Sequence, residues 1–222
     1  MADAGVDRVD HVRDWVDGWV VSRGATPPLV EPWGYTIHVG LPQQVGRHVI
    51  GATNDAVREE DVRKATESTR ARNTHLKVFA DPARVLPWLG PEWEPYGSDD
   101  YLMTTELTPA PAPEVPSGYH LRSWTRGAVT RLLITDADGA FAARGQVVPT
   151  GASAVVDQIE TSEDHRRKGL GRVIMGTLHA AAHATGATRA VLACTPEGHL
   201  LYKAVGWRTV APLTNATYVG PR

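Results

Sequence analysis

Apolar side chains recur every three or four residues at Val9, Val12, Val16 and Trp19, with Asp7, Asp10, Arg13, Asp14 and Asp17 between them. This spacing predicts an amphipathic helix over residues 7–22 that stops before Gly24. Its apolar stripe must dock, either on the rest of the chain or on a second copy in a homodimer. Pro27, Pro28 and Pro32 exclude helix from 26–33. Residues 35–39 and 47–50 alternate like the two strands of a hairpin around Leu41-Pro42-Gln43-Gln44. Asn54 and Asp55 are cap residues for a helix over 56–72, whose narrow stripe is Val57, Val62 and Ala65. A strand is predicted over 75–79, a short helix over 82–89 capped by Asp81, and another strand over 101–107.

The run Thr108-Pro-Ala-Pro-Ala-Pro-Glu-Val-Pro116 is stiffened by its fixed φ angles and predicts a linker over 108–117. Beyond it the rhythm of two returns over 119–124, 130–135 and 140–148, with a turn at 136–139, and an apolar run fills 154–159. A small-residue helical run over 173–184 follows, then a strand over 189–194, a helix over 198–205 and a strand over 213–219. Strand, short helix, glycine, aromatic and strand also follow one another in 75–107. Residues 26–107 therefore read as a second, degenerate copy of the C-terminal unit, unless common α/β parts coincide. The expected division is 1–107, linker, and 118–222, in an α/β fold with a mixed sheet.

Composition narrows the function. With 42% apolar residues in 222 the chain has material for one large core or two modest ones. A formal charge of −2 argues against nucleic acid as a partner. One cysteine, Cys194, excludes an internal disulfide and a cysteine zinc cluster, and suits a reducing cytoplasm. No apolar run approaches membrane-spanning length, and the acidic first residues lack a signal core. His179 and His183 share a helix face but have no third ligand nearby, so no metal is expected.

Cations concentrate in one place. Between the apolar run 154–159 and the helix lie Arg166, Arg167, Lys168, Gly169, Leu170, Gly171 and Arg172. A strand, a basic turn with two glycines and a helix start are the parts of a phosphate site, because unpaired N–H groups and the helix dipole both favour an anion there. Arg166-x-x-Gly169-x-Gly171 resembles the [Arg/Gln]-x-x-Gly-x-[Gly/Ala] signature of the GNAT acyltransferase superfamily. The segment Leu201-Tyr-Lys-Ala-Val-Gly-Trp207 is similar to that family's Leu-Tyr-x-x-x-Gly-[Phe/Trp] helix end. The resemblance covers about residues 119–215.

What the resemblance implies is a GNAT-like fold, acetyl-CoA as acyl donor and a small-molecule amine as acceptor. The pyrophosphate would lie on the N–H groups from Arg167 to Arg172, with charge from Arg166 and Lys168. The pantetheine arm would lie against the backbone of Ile159, Glu160 and Thr161, where the family's strand splays from its parallel neighbour. Tyr202 aligns with the family tyrosine that meets the departing thiolate. The base is open: Asp157 and Glu160 are candidates expected on opposite faces of their strand, and the family's carboxylate position is Val156 here. The family's helices between its first two strands are also missing, since only 125–129 fills that place, so the N-terminal half is expected to wall the acceptor pocket. A CoA-binding sensor or a protein lysine acetyltransferase are the alternatives. Glu92, Glu94, Asp99 and Asp100, interleaved with Trp93, Tyr96 and Tyr101, form a loop that would suit a cationic acceptor.

Overall fold

A computed structural model of the chain describes residues 10–97 and 99–221. Asp7 and Val9 of the first expected helix lie outside them. The helix itself, α1, is His11–Arg23, with the Asp10 carboxylate accepting from the Val12 and Arg13 amides and Gly24 closing it at φ 64°. Strands β1 (Leu29–Glu31), β2 (Gly34–Leu41) and β3 (Gln44–Thr53) follow as antiparallel neighbours. Helix α2 is Glu59–Ser68, shorter than the expected 56–72. Its proposed caps are used elsewhere: the Asn54 amide donates to the Val210 carbonyl, and Arg84 grips the carbonyls of Asn54 and Val57. The Ser68 and Thr69 hydroxyls both turn back onto the Ala65 carbonyl at its other end.

Next come β4 (Thr74–Phe79), α3 (Pro82–Val85), β5 (Trp93–Pro95) and β6 (Asp100–Glu106). The expected loop 92–101 thus contains a short strand. Residues 107–116 carry no regular element; Pro113 packs where Gly176 leaves room on a later helix. The remaining elements are β7 (Tyr119–Arg126), β8 (Val129–Asp136), β9 (Phe141–Thr150), β10 (Ser153–Thr161), α4 (Leu170–Ala184), β11 (Arg189–Cys194), α5 (Pro196–Ala204) and β12 (Arg208–Tyr218).

The twelve strands of the described residues join one mixed sheet in the order β1-β2-β3-β4-β12-β6-β11-β10-β9-β8-β7, with β5 also on β12. The last strand of each half crosses over. β6 pairs with β11 and β12 pairs with β4, while β6 and β12 pair with each other, all antiparallel. The two halves therefore share a seam of backbone hydrogen bonds.

One face of the sheet is covered by α1. Val12, Trp15, Val16, Trp19 and Val20 pack on Val49, Phe79, Leu102, Val155, Val191 and Leu213, so one helix lies over strands of both halves. The stripe expected to dock does so within the chain. A side chain at Gly18 would collide with Val155, which is why the helix seats so closely. The other face carries α2 and α3 over the N-terminal strands, with Ile50, Val62, Ala65 and Val78 inside, and α4 and α5 over the C-terminal strands, with Ile134, Leu170, Ile174, Leu178 and Leu192 inside.

Candidate active site

The site begins where two parallel strands part. β10 and β11 pair at Ser153/Arg189, Ala154/Ala190 and Val155/Val191 and then separate, although β10 runs on to Thr161 and β11 to Cys194. Their backbone groups beyond Val155 and Val191 no longer face each other, which leaves donors and acceptors for an extended ligand. β10 also bulges: Asp157 is opposite Gln146 and Glu160 is opposite Arg144, with Gln158 between them at φ 55°. The bulge adds one residue, so Asp157 and Glu160 lie on the same face, not on opposite faces as simple alternation predicts. Ile159 turns to the other face, where it packs against the core with Ile174 and Leu178 over Gly145.

After Thr161 the chain makes a short 3-10 turn at Glu163–His165 and reaches the start of α4. Arg167 (φ 62°) and Gly169 (φ 83°) are both left-handed there, and Gly169 is the N-cap with no side-chain cap bond. The amides of the first turn of α4 are thus left without a capping side chain. An added Cβ at Gly171 would come 3.0 Å from Leu201, so the turn sits tightly on α5. Arg167, Lys168 and Gly169 are exposed, and Arg166 forms loose pairs with Glu163 and Glu197 at 3.8 and 3.3 Å. Leu170 is buried, so only its backbone faces outward. Uncapped amides, two left-handed residues and four nearby cations fit a diphosphate.

Tyr202 stands on α5 with its ring in the core beside Trp207, at a centroid distance of 5.9 Å. Burial, then the neighbouring Cys194 and Asp157, push its phenol well above the ordinary tyrosine value. Its proton stays on at neutral pH. Cys194, at the end of β11, is half-buried against the core, and burial chiefly pushes its thiol up to about 12, which disfavours a thiolate.

Neither candidate base is free. Arg23 donates to both oxygens of Asp157, at 2.6 and 2.8 Å, and the Ser22 hydroxyl donates at 2.5 Å. Glu160 accepts from Arg144 at 2.8 Å. The C-terminal end of α1 is thereby fastened to the bulge of β10. A groove of about 580 Å³ opens beside it on the same face, lined by Trp124, Arg131, Leu133, Phe141, Arg144 and Glu160 among others. Sequence reasoning missed these groove residues and the Arg23 clamp because the strands and helix that assemble them are far apart in the chain. A second polar row on this face, Lys77, Asn215 and Asp100, joins β4, β12 and β6 by side-chain hydrogen bonds. In the loop before β6, Trp93 is buried and Tyr96 bonds to His75, so two of its aromatics serve as anchors.

The N-terminal half lacks the same opening. β3 and β4 pair in parallel from Gly46/Thr74 to Val49/Lys77 and meet again at Thr53/Phe79. α2 starts with Glu59, Glu60 and Asp61, and Arg84 fills the turn before it. Among the described residues no group of histidine, cysteine or carboxylate side chains forms a metal site, and no helix is long and apolar enough to cross a membrane.

The model of the Acetyltransferase (GNAT) family matches residues 94–207, half of the chain. The chain belongs to the GNAT family. The match starts within β5, so it takes in β6, the N-terminal strand that borders β11. As a GNAT protein, the chain has the acyl transfer chemistry of its family, with an acyl-CoA as donor. A GCN5-related N-acetyltransferase from Kribbella flavida superposes with a TM-score of 0.64 at 16% identity, over 99% of this chain and 98% of its own. A GCN5-related N-acetyltransferase-like protein from Streptococcus suis gives 0.58 at 13%, over 96% and 94%. A tandem GNAT protein from the clavulanic acid biosynthesis pathway gives 0.50 at 16%, over 75% and 70%. At these identities the likeness is one of fold. No functionally curated protein matches the sequence.

Proposed function

We propose that this GNAT protein transfers an acetyl or other short acyl group from acetyl-CoA to the amine of a small-molecule acceptor. The observation that carries the reading is the parting of β10 from β11 directly before the uncapped, basic start of α4. Backbone groups of Ile159, Glu160 and Thr161 hold the pantetheine arm, and the amides from Arg167 to Arg172 hold the pyrophosphate. Each charge-assisted hydrogen bond contributes about 1.5–3 kcal/mol, so a few of them suffice for micromolar binding after the cost of association. Tyr202 keeps its proton and donates a hydrogen bond to the sulfur as charge develops there, without a separate proton-transfer step. With Asp157 and Glu160 both paired, an acceptor that arrives deprotonated, or a water relay, fits better than either carboxylate as base.

The division of labour belongs to the same proposal. Residues 118–222 form the catalytic unit and 1–107 a degenerate GNAT-like unit, joined by the linker 108–117, and α1 takes the place of the helices missing between β7 and β8. The lone cysteine suits a cytoplasmic enzyme. Calorimetry with acetyl-CoA and thiol release with a panel of amines, amino acids and aminoglycosides test the reading. Binding with turnover is expected; binding without turnover on any amine would leave a CoA sensor.

A further inference from the structure

The groove on the α1 face has a chemistry of its own. Strand register sets its side chains in two rows on one face of the sheet. Trp124 is opposite Arg131, Arg131 opposite Gln146, and Gln146 opposite Asp157. In the next row Arg122 is opposite Leu133, Leu133 opposite Arg144, and Arg144 opposite Glu160. The acids at the β10 end are neutralised by Arg23 and Arg144. Gln146 spends its amide on Ser22. Arg131 lines the groove between Trp124 and Gln146, with no ion pair among the described residues. Trp124 beside it is 45% exposed, and Phe141, opposite Thr135 further along the groove, is 38% exposed, large apolar surfaces to leave in water.

We propose that this groove holds the acceptor, and that the acceptor is an amine carrying a carboxylate on an apolar, flat body. The inference rests on the acyl-transfer reading of the adjoining bulge. Arg131 is the anchor for the carboxylate, since a guanidinium pairs with two oxygens in plane and no acid among the described residues claims it. Trp124 and Phe141 cover the body of the ligand. Arg131 lies two strands from β10, about 10 Å at the usual strand spacing. An acceptor anchored there therefore places its amine several bonds from its carboxylate to reach the parting of β10 and β11. In the transfer the amine nitrogen bonds to the acyl carbon, the carbon–sulfur bond breaks, and the proton lost by nitrogen ends on the departing thiol. The product is a neutral amide that still carries its carboxylate.

A matched pair of probes tests this: 4-(aminomethyl)benzoate and its carboxamide, each titrated by calorimetry into protein holding CoA, then assayed with acetyl-CoA for thiol release. The benzoate is expected to bind about tenfold or more tightly than the amide. Arg131→Gln should erase that difference while acetyl-CoA affinity and the thermal midpoint stay unchanged. Equal binding of the two probes, no binding of either, or discrimination that survives in Arg131→Gln would overturn the proposal. Tight, Arg131-dependent binding of the benzoate without turnover would keep the groove assignment and count against acyl transfer alone.

Discussion

At Tyr202 the same burial that seats the ring beside Trp207 holds the phenol protonated. In the role proposed for it, a phenol that keeps its proton acts on the departing sulfur as a hydrogen-bond donor. Tyr202→Phe is therefore expected to lower kcat by roughly ten- to a thousand-fold while acetyl-CoA affinity stays within a few-fold; unchanged turnover would leave the tyrosine a packing role only. Gly169 has a φ of 83° and no side chain at the start of α4, which leaves the backbone there open, as the proposed diphosphate site requires. Gly169→Asp adds strain, bulk and a like charge, and loss of acetyl-CoA binding in calorimetry, with folding intact by circular dichroism, is the expected result. His48 is buried, bonds to the Thr36 hydroxyl, and has its pKa pushed down to about 4 by burial and then by His38. The unfolded chain takes up a proton near pH 6.5 that the folded chain refuses until about pH 4. Stability is thus lost as pH falls through that window. Thermal melts at pH 5 and 7.5 should show a smaller gap for His48→Gln than for the parent, and an equal gap would deny the histidine this role.

Among the elements, α1 has the longest reach. Its C-terminal Arg23 clamps Asp157 in the C-terminal half, while Trp19 receives the guanidinium of Arg47 from β3 at 3.8 Å. Gly18, mid-helix, is intrinsically worse than alanine by about 1 kcal/mol, yet a Cβ there meets the stiff side chain of Val155. Packing outweighs propensity: Gly18→Ala should destabilise by about 1–3 kcal/mol, read as a lower denaturant midpoint, and a rise would show that the helix rides higher than the structure has it. The periodicity of Val12, Val16 and Trp19 revealed this helix from sequence, as alternation revealed the strands, because each is a local pattern. The bulge in β10 was not legible, since Asp157-Gln-Ile-Glu160 reads as plain alternation and only pairing with β9 shows the extra residue. Its consequence, two acids on one face, was lost with it. The basic turn 166–172 stands out in the sequence because its residues are contiguous, whereas Trp124, Arg131 and Arg144 become one wall only through strand register.

For the whole molecule the exchange of last strands is the dominant constraint. The order β4-β12-β6-β11 gives each half a strand whose two neighbours include the other half. Nothing local to β6 or β12 marks them as swapped, because an antiparallel strand pairs equally well with either edge. A fragment starting at Pro116 would remove β6 from between β11 and β12 and also β4 from the far edge of β12, leaving the edges of β11 and β12 unpaired. It would strip α1 from Val155 and Val191 and uncouple Asp157 from Arg23. Exposed edges and an uncovered apolar face favour aggregation over folding. We expect that fragment to be insoluble or inactive, and the full chain to bind one acetyl-CoA. The second helix start offers Glu59, Glu60 and Asp61 to a diphosphate, its strands β3 and β4 meet again at Thr53/Phe79, and Arg84 already occupies its carbonyls. Calorimetry on the full chain reads the stoichiometry directly. Two sites per chain, or a soluble fragment from Pro116 onward with full activity, would show that the N-terminal half neither completes the sheet for catalysis nor has lost its own site.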